Sequence, residues 1–218
     1  MQPTFALAAP AALMLQRWTQ GSAVFDAQGF ALYLLTLPGG CARVEARQRA
    51  RRLLCEVLGD MLRQPADRVV LLEGPRGPRP ADGAGGIHVS LSYAGEHVLI
   101  GLGREFVVGV DLVRVDDFVE LPALARQYLD RESGRQVMAA PQAARAVNFA
   151  QAWAEMEARS KCLGLPLAEM SPQRALALQP CGLRPCAAIE GYRAALAFRM
   201  PAADEKNRAD AGPVRRGG

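Results

Sequence analysis

Residues 105–115, EFVVGVDLVRV, decide the fold reading, because within them residues 106–113 place one carboxylate, Asp111, inside an otherwise apolar run with the length and β-branched content of a strand. An unpaired carboxylate is expensive to bury, so Asp111 calls for a cation, a metal or a set of hydrogen-bond donors. Immediately before it, HVSLSY (88–93) and VLIGLG (98–103) read as two further strands, with residues 94–97 as the turn. The bland alternative for Asp111 is an acid at a strand end that bonds local backbone.

Working outward, residues 42–63 (ARVEARQRARRLLCEVLGDMLR) carry apolar side chains at helical spacing with arginines between them, and Pro65 follows. Residues 68–72 (RVVLL) read as a short strand, and EGPRGPRPADGAGG as a loop on its density of Gly and Pro. Residues 121–140 and 143–163 read as helices separated by Pro141. After a looser stretch, GYRAALAF (191–198) reads as a last strand. Helices followed by strands, twice, predict an α+β fold of two similar halves, with each half placing helices on a small antiparallel sheet. The boundaries expected are 1–104 and 105–200, followed by a disordered tail over 201–218.

The second chemical segment is Trp153-Ala154-Glu155-Met156-Glu157-Ala158-Arg159-Ser160-Lys161. On a helix Trp153, Glu157 and Lys161 stand at i, i+4 and i+8 and form one stripe. Alone, the stripe reads as a surface Glu–Lys pair below a core tryptophan.

Together, GVDLV and WAEMEARSK resemble the signature of the 4′-phosphopantetheinyl transferases: a G-[IV]-D strand followed by W-x-x-K-E-A-x-x-K. The stretch VSLSYAGEHVLIGLG is similar to the family's F-N-x-S-H-S strand and the strand after it, EGPRGPRP stands where its G-K-P segment falls, and GYRAALAF resembles its closing strand. The resemblance spans residues 42–200 in order. It implies transfer of the phosphopantetheine arm of coenzyme A to a serine of an acyl, aryl or peptidyl carrier protein, with the active site between the two halves. It also implies Mg²⁺ on Asp111 and Glu157, and Glu157 and Lys161 as catalytic groups. Lys161, Ser92, Tyr93 and a choice among Arg47, Arg49, Arg76 and Arg79 would lie against coenzyme A. Single-chain members of this architecture suit a monomer.

The departures are specific. Val113 stands where larger members carry a second strand acid, Tyr93 replaces a histidine, Met156 replaces the first lysine of the helix motif, and Pro78 falls at the lysine of G-K-P. They favour, as the alternative, a catalytically impaired protein of the same fold that binds coenzyme A or a carrier.

Composition sets outer limits. The chain has 218 residues, 22% of them charged, with net charge +4, and its only lysines are Lys161 and Lys206. Side-chain cations for phosphate are therefore nearly all guanidinium groups, which suit bidentate contacts. A nucleic-acid binder would carry a denser basic face. No apolar run reaches the roughly 18 residues of a membrane span. The first 18 residues lack an early Lys or Arg and are expected to belong to the fold rather than to a secretory signal. Five cysteines without a CxxC pair read as free thiols of a cytoplasmic protein.

Overall fold

The computed structural model describes residues 12–16, 21–74, 77–81, 86–116, 118, 120–187 and 189–202. Among them the chain forms an α+β structure of five α-helices and three small sheets. Of the expected 201–218 tail all but residues 201 and 202 lies outside the described residues, as do most of the first 18 positions and Arg76.

The first sheet has the order β1(Leu15–Gln16)-β2(Phe30–Thr36)-β6(His97–Arg104)-β5(Ile87–Ala94) and is antiparallel apart from the β1–β2 pair. The second pairs β3(Leu71–Gly74) with β4(Gly77–Pro80). The third has the order β7(Val107–Arg114)-β9(Tyr192–Arg199)-β8(Gly182–Pro185), antiparallel throughout.

Side-chain alternation along the strands sorts the core into layers. Ala31, Tyr33, Val98, Ile100 and Leu102 point outward from the first sheet onto α1(Arg43–Leu62), where Ala50, Leu54, Val57 and Leu58 meet them. Their neighbours Phe30, Leu32 and Leu99 point the other way and pack against Val108, Val110, Leu112, Ala194 and Leu196 of the third sheet. The two sheets close tightly here, since a Cβ added at Gly101 would lie 2.2 Å from Val110 Cγ1. The outer face of the third sheet, with Val107, Ala195 and Ala197, receives Ala154, Ala158 and Cys162 of α4(Gln142–Leu163). The far side of α4 packs Phe149, Trp153 and Met156 into a cluster with α2(Leu121–Tyr128), α3(Arg131–Ala139) and α5(Pro172–Leu178).

Several expectations are refined. The helix expected over 121–140 is two helices, because Asp130 accepts from the backbone N–H groups of Glu132 and Ser133 and starts α3 as its N-cap. The strand expected at 68–72 begins only at Leu71, after a 3-10 turn at Ala66–Arg68. GPRP pairs with LLEG as a hairpin instead of looping. Prolines are tolerated there because β4 has a strand partner on one side only. Finally, among the described residues, strands β1 and β2 precede the first helix, α1.

Candidate functional site

The site lies where β5, β7 and α4 meet. Gly109 makes it possible. A Cβ at this position would come within 2.1 Å of Ala158 O and 2.4 Å of Cys162 N, so the bare glycine lets the α4 backbone rest on β7. Two residues on, Asp111 points to the same face and meets the Glu157–Lys161 turn of that helix.

Asp111 is 7% exposed. Its Oδ1 accepts from Lys161 Nζ at 2.7 Å and from the Ser92 hydroxyl at 2.7 Å. Among the described residues the hydrogen bonds to its carboxylate run to Oδ1, which leaves Oδ2 for a ligand. Lys161 directs its other two protons at Ser92 Oγ and the Val110 carbonyl, each at 3.1 Å. The buried carboxylate therefore has the cation and donors that its cost demands, and Lys161 spends all three donors on protein acceptors.

Glu157, one turn before Lys161, differs. Its Oε1 is buried without a hydrogen-bond partner. Burial pushes its carboxyl above the ordinary range, the charge of Asp111 pushes it further, and Lys161 and Arg174 draw it back in part. Arg174, on α5, is thus a site cation that sequence reading missed. It donates to Ser160 Oγ at 2.9 Å.

Among the described residues no group of three or more His, Cys, Asp or Glu side chains gathers as a metal site. The oxygens available to a cation are those of Asp111 and Glu157. Two hard carboxylates, one with an orphaned oxygen, fit a divalent ion that keeps most of its shell as water or phosphate oxygen.

The arginines divide. Alternation along β5 sends Tyr93 to the face opposite Ser92, toward α1. Burial raises its hydroxyl pKa there, while the charges of Arg47 and Arg51 lower it. Arg47 and Arg51 share one helix face at i and i+4, and Arg51 also pairs with Glu73 on β3. Arg49 lies on another face, bonded to Glu45 at 2.8 Å and lining a groove of about 900 Å³ with Arg52 and Leu34. Arg79 is exposed on β4, opposite Leu72. The geometry thus gathers Asp111, Glu157, Lys161 and Ser92, sets Tyr93 and Arg47 around the β5 edge, and leaves Arg49 apart. Arg51 was missed, although its spacing from Arg47 signals it.

Two departures also find their places. Met156 is 6% exposed in the helical cluster with Phe149 and Leu178, away from Asp111. Val113 packs beside the α4 seam. Trp153 stacks near Tyr128 and Phe149, with centroids 5.3 and 5.6 Å away, and ties α4 to that cluster.

No protein-family model matches the chain, and no curated protein matches it. No helix among the described residues is long and apolar enough to cross a membrane.

Proposed function

We propose that this protein transfers the 4′-phosphopantetheine group of coenzyme A to a serine of an acyl, aryl or peptidyl carrier protein, with Mg²⁺ as cofactor. The observation that carries the reading is the meeting of Asp111 and Glu157 across the Gly109–Ala158 contact, with Glu157 Oε1 buried and unpartnered. A buried carboxylate whose ionisation a second carboxylate makes more costly is a natural seat for a cation.

In this reading residues 1–104 and 105–200 are two similar halves, and the site lies where β5 of one meets β7 and α4 of the other. One chain supplies both sides and works as a monomer in the cytoplasm.

Asp111 Oδ2 and Glu157 Oε1 would hold the ion, which when bound neutralises the pyrophosphate and favours release of 3′,5′-ADP. Arg47 and Arg51 hold the nucleotide's phosphate beside Tyr93. The carrier serine oxygen attacks the phosphorus that bears the pantetheine arm. The P–O bond to the nucleotide side breaks as the new ester forms, and Glu157 takes the serine proton. Lys161 keeps Asp111 fixed.

A second reading is a protein of the same fold that binds coenzyme A without transferring its arm. The commitment of all three Lys161 protons to protein acceptors favours it, because no ammonium donor is left for a phosphate. Calorimetric titration with coenzyme A tests the shared part of both readings. Binding that strengthens with Mg²⁺ in the wild type and not in Glu157→Gln supports the site. Absence of binding under any condition overturns both.

A further inference from the structure

We infer that Ser92 is a positioning residue whose hydroxyl fixes Asp111 and Lys161, and that it is not a contact to the nucleotide. The claim about position stands on geometry alone, and its importance for catalysis rests on the proposed function.

Strands β5 and β7 lie side by side but belong to different sheets, with no backbone ladder between them. Two serine hydroxyls take the ladder's place. Val110 N donates to Ser90 Oγ at 3.0 Å, and Leu112 N donates to Ser92 Oγ at 3.1 Å. Both serines are buried, at 5% and 4% exposure. Their spacing of two puts both on the β7 side of the strand.

The two hydroxyls then part company. A hydroxyl has one proton to give and two lone pairs to receive. At Ser92 all three are used: it receives from Leu112 N and from Lys161 Nζ, and gives its proton to Asp111 Oδ1. Because both neighbours that reach its lone pairs are donors, the proton is directed to the carboxylate. Oδ1 is thereby held by two donors, and Oδ2 is turned to the ligand side. Among the described residues Ser90 makes no hydrogen bond to Asp111 or Lys161.

Ser90→Ala and Ser92→Ala therefore each orphan one β7 amide, and only the second disturbs the Asp111–Lys161 pair. With two lysines in the chain, full-length protein carrying ¹⁵N-lysine gives few side-chain ammonium signals, and the Lys161 signal is identified by its loss in Lys161→Arg. The readout is the rate at which the Lys161 ammonium protons exchange with water. Loss of a hydrogen bond to a charged group predicts exchange about tenfold or more faster in Ser92→Ala, no comparable change in Ser90→Ala, and recovery in Ser92→Thr. Should Ser92→Ala not fold, Ser92→Cys, of similar size and a weaker hydrogen-bonding group, serves and should also quicken exchange. Equal acceleration in the Ser90 and Ser92 variants, or none in the latter, overturns the inference. In transfer assays Ser92→Ala should lower kcat and leave the KM for coenzyme A near its wild-type value, whereas a raised KM with kcat kept would mark a nucleotide contact. If the wild type transfers nothing, the proposed function fails, and the exchange rates still decide the role of Ser92.

Discussion

Gly109 lies flat against Ala158: a Cβ on the glycine would stand 2.1 Å from the alanine's carbonyl oxygen. Neither partner can give way, since one is a strand backbone and the other a helix backbone. Gly109→Ala should therefore push α4 from β7, costing about 3 kcal/mol and lowering Tm by roughly 6–12 °C for a chain of this size. Thermal melts followed by circular dichroism check this. A shift under about 2 °C would contradict the close packing.

Asp111 and Lys161 form a mostly buried ion pair at 2.7 Å, with side-chain exposures of 9% and 31%. Removing either member leaves a charge with too few partners. Asp111→Ala and Lys161→Met should each cost about 2–4 kcal/mol, at the lower side of fully buried pairs because the lysine keeps some water. The double variant should cost clearly less than the two singles together. Urea denaturation of the four proteins measures the coupling, and simple additivity would deny the pair.

Glu157 has a folded-state pKa raised by burial and then by Asp111. A raised carboxyl pKa means its contribution to stability is fully present below the ordinary value of 4.5 and is lost as pH rises through the folded value. Glu157→Gln escapes that loss. In buffer with a metal chelator the variant should melt higher than the wild type at pH 7–8, and the gap should close near pH 4. Added Mg²⁺ should raise the Tm of the wild type alone, because a ligand that binds the folded state stabilises it. A wild type indifferent to Mg²⁺ would count against the metal seat.

Arg47 and Arg51 act on Tyr93, whereas Arg49 is bonded to Glu45 on another face. Replacing Arg47 or Arg51 with Ala should weaken coenzyme A binding about tenfold, the scale of one charged hydrogen bond. Arg49→Ala should change it less than about twofold. Calorimetric Kd values decide, and equal losses at all three positions would point to general electrostatics rather than a defined phosphate contact.

Much of this arrangement is legible in the sequence, for local reasons. Helix α1 announces itself by period, and β5, β6 and β7 by β-rich runs between turn residues. Strand β2 does not, because FALYLLT is apolar on both faces and has no alternation to read. Its signal lies in Asp26, whose carboxylate accepts from the N–H groups of Gln28 and Phe30 and shapes the turn into the strand. The break at Leu129 was equally available, in the capping acid Asp130. At the site, the Trp153–Glu157–Lys161 stripe follows from helical spacing alone. The link from Lys161 to Ser92, the approach of Arg174, and the choice of which α1 face meets Tyr93 depend on how α4 and α1 are set against the sheets, which no local pattern states.

The most direct measurement is the mass of apo carrier proteins after incubation with the protein, coenzyme A and Mg²⁺. The account predicts that at least one of a panel of acyl, aryl and peptidyl carriers gains the mass of one phosphopantetheinyl group, and that Glu157→Gln, folded and stable, adds none. No gain on any carrier from the folded wild type, or a gain undiminished in Glu157→Gln, would contradict it.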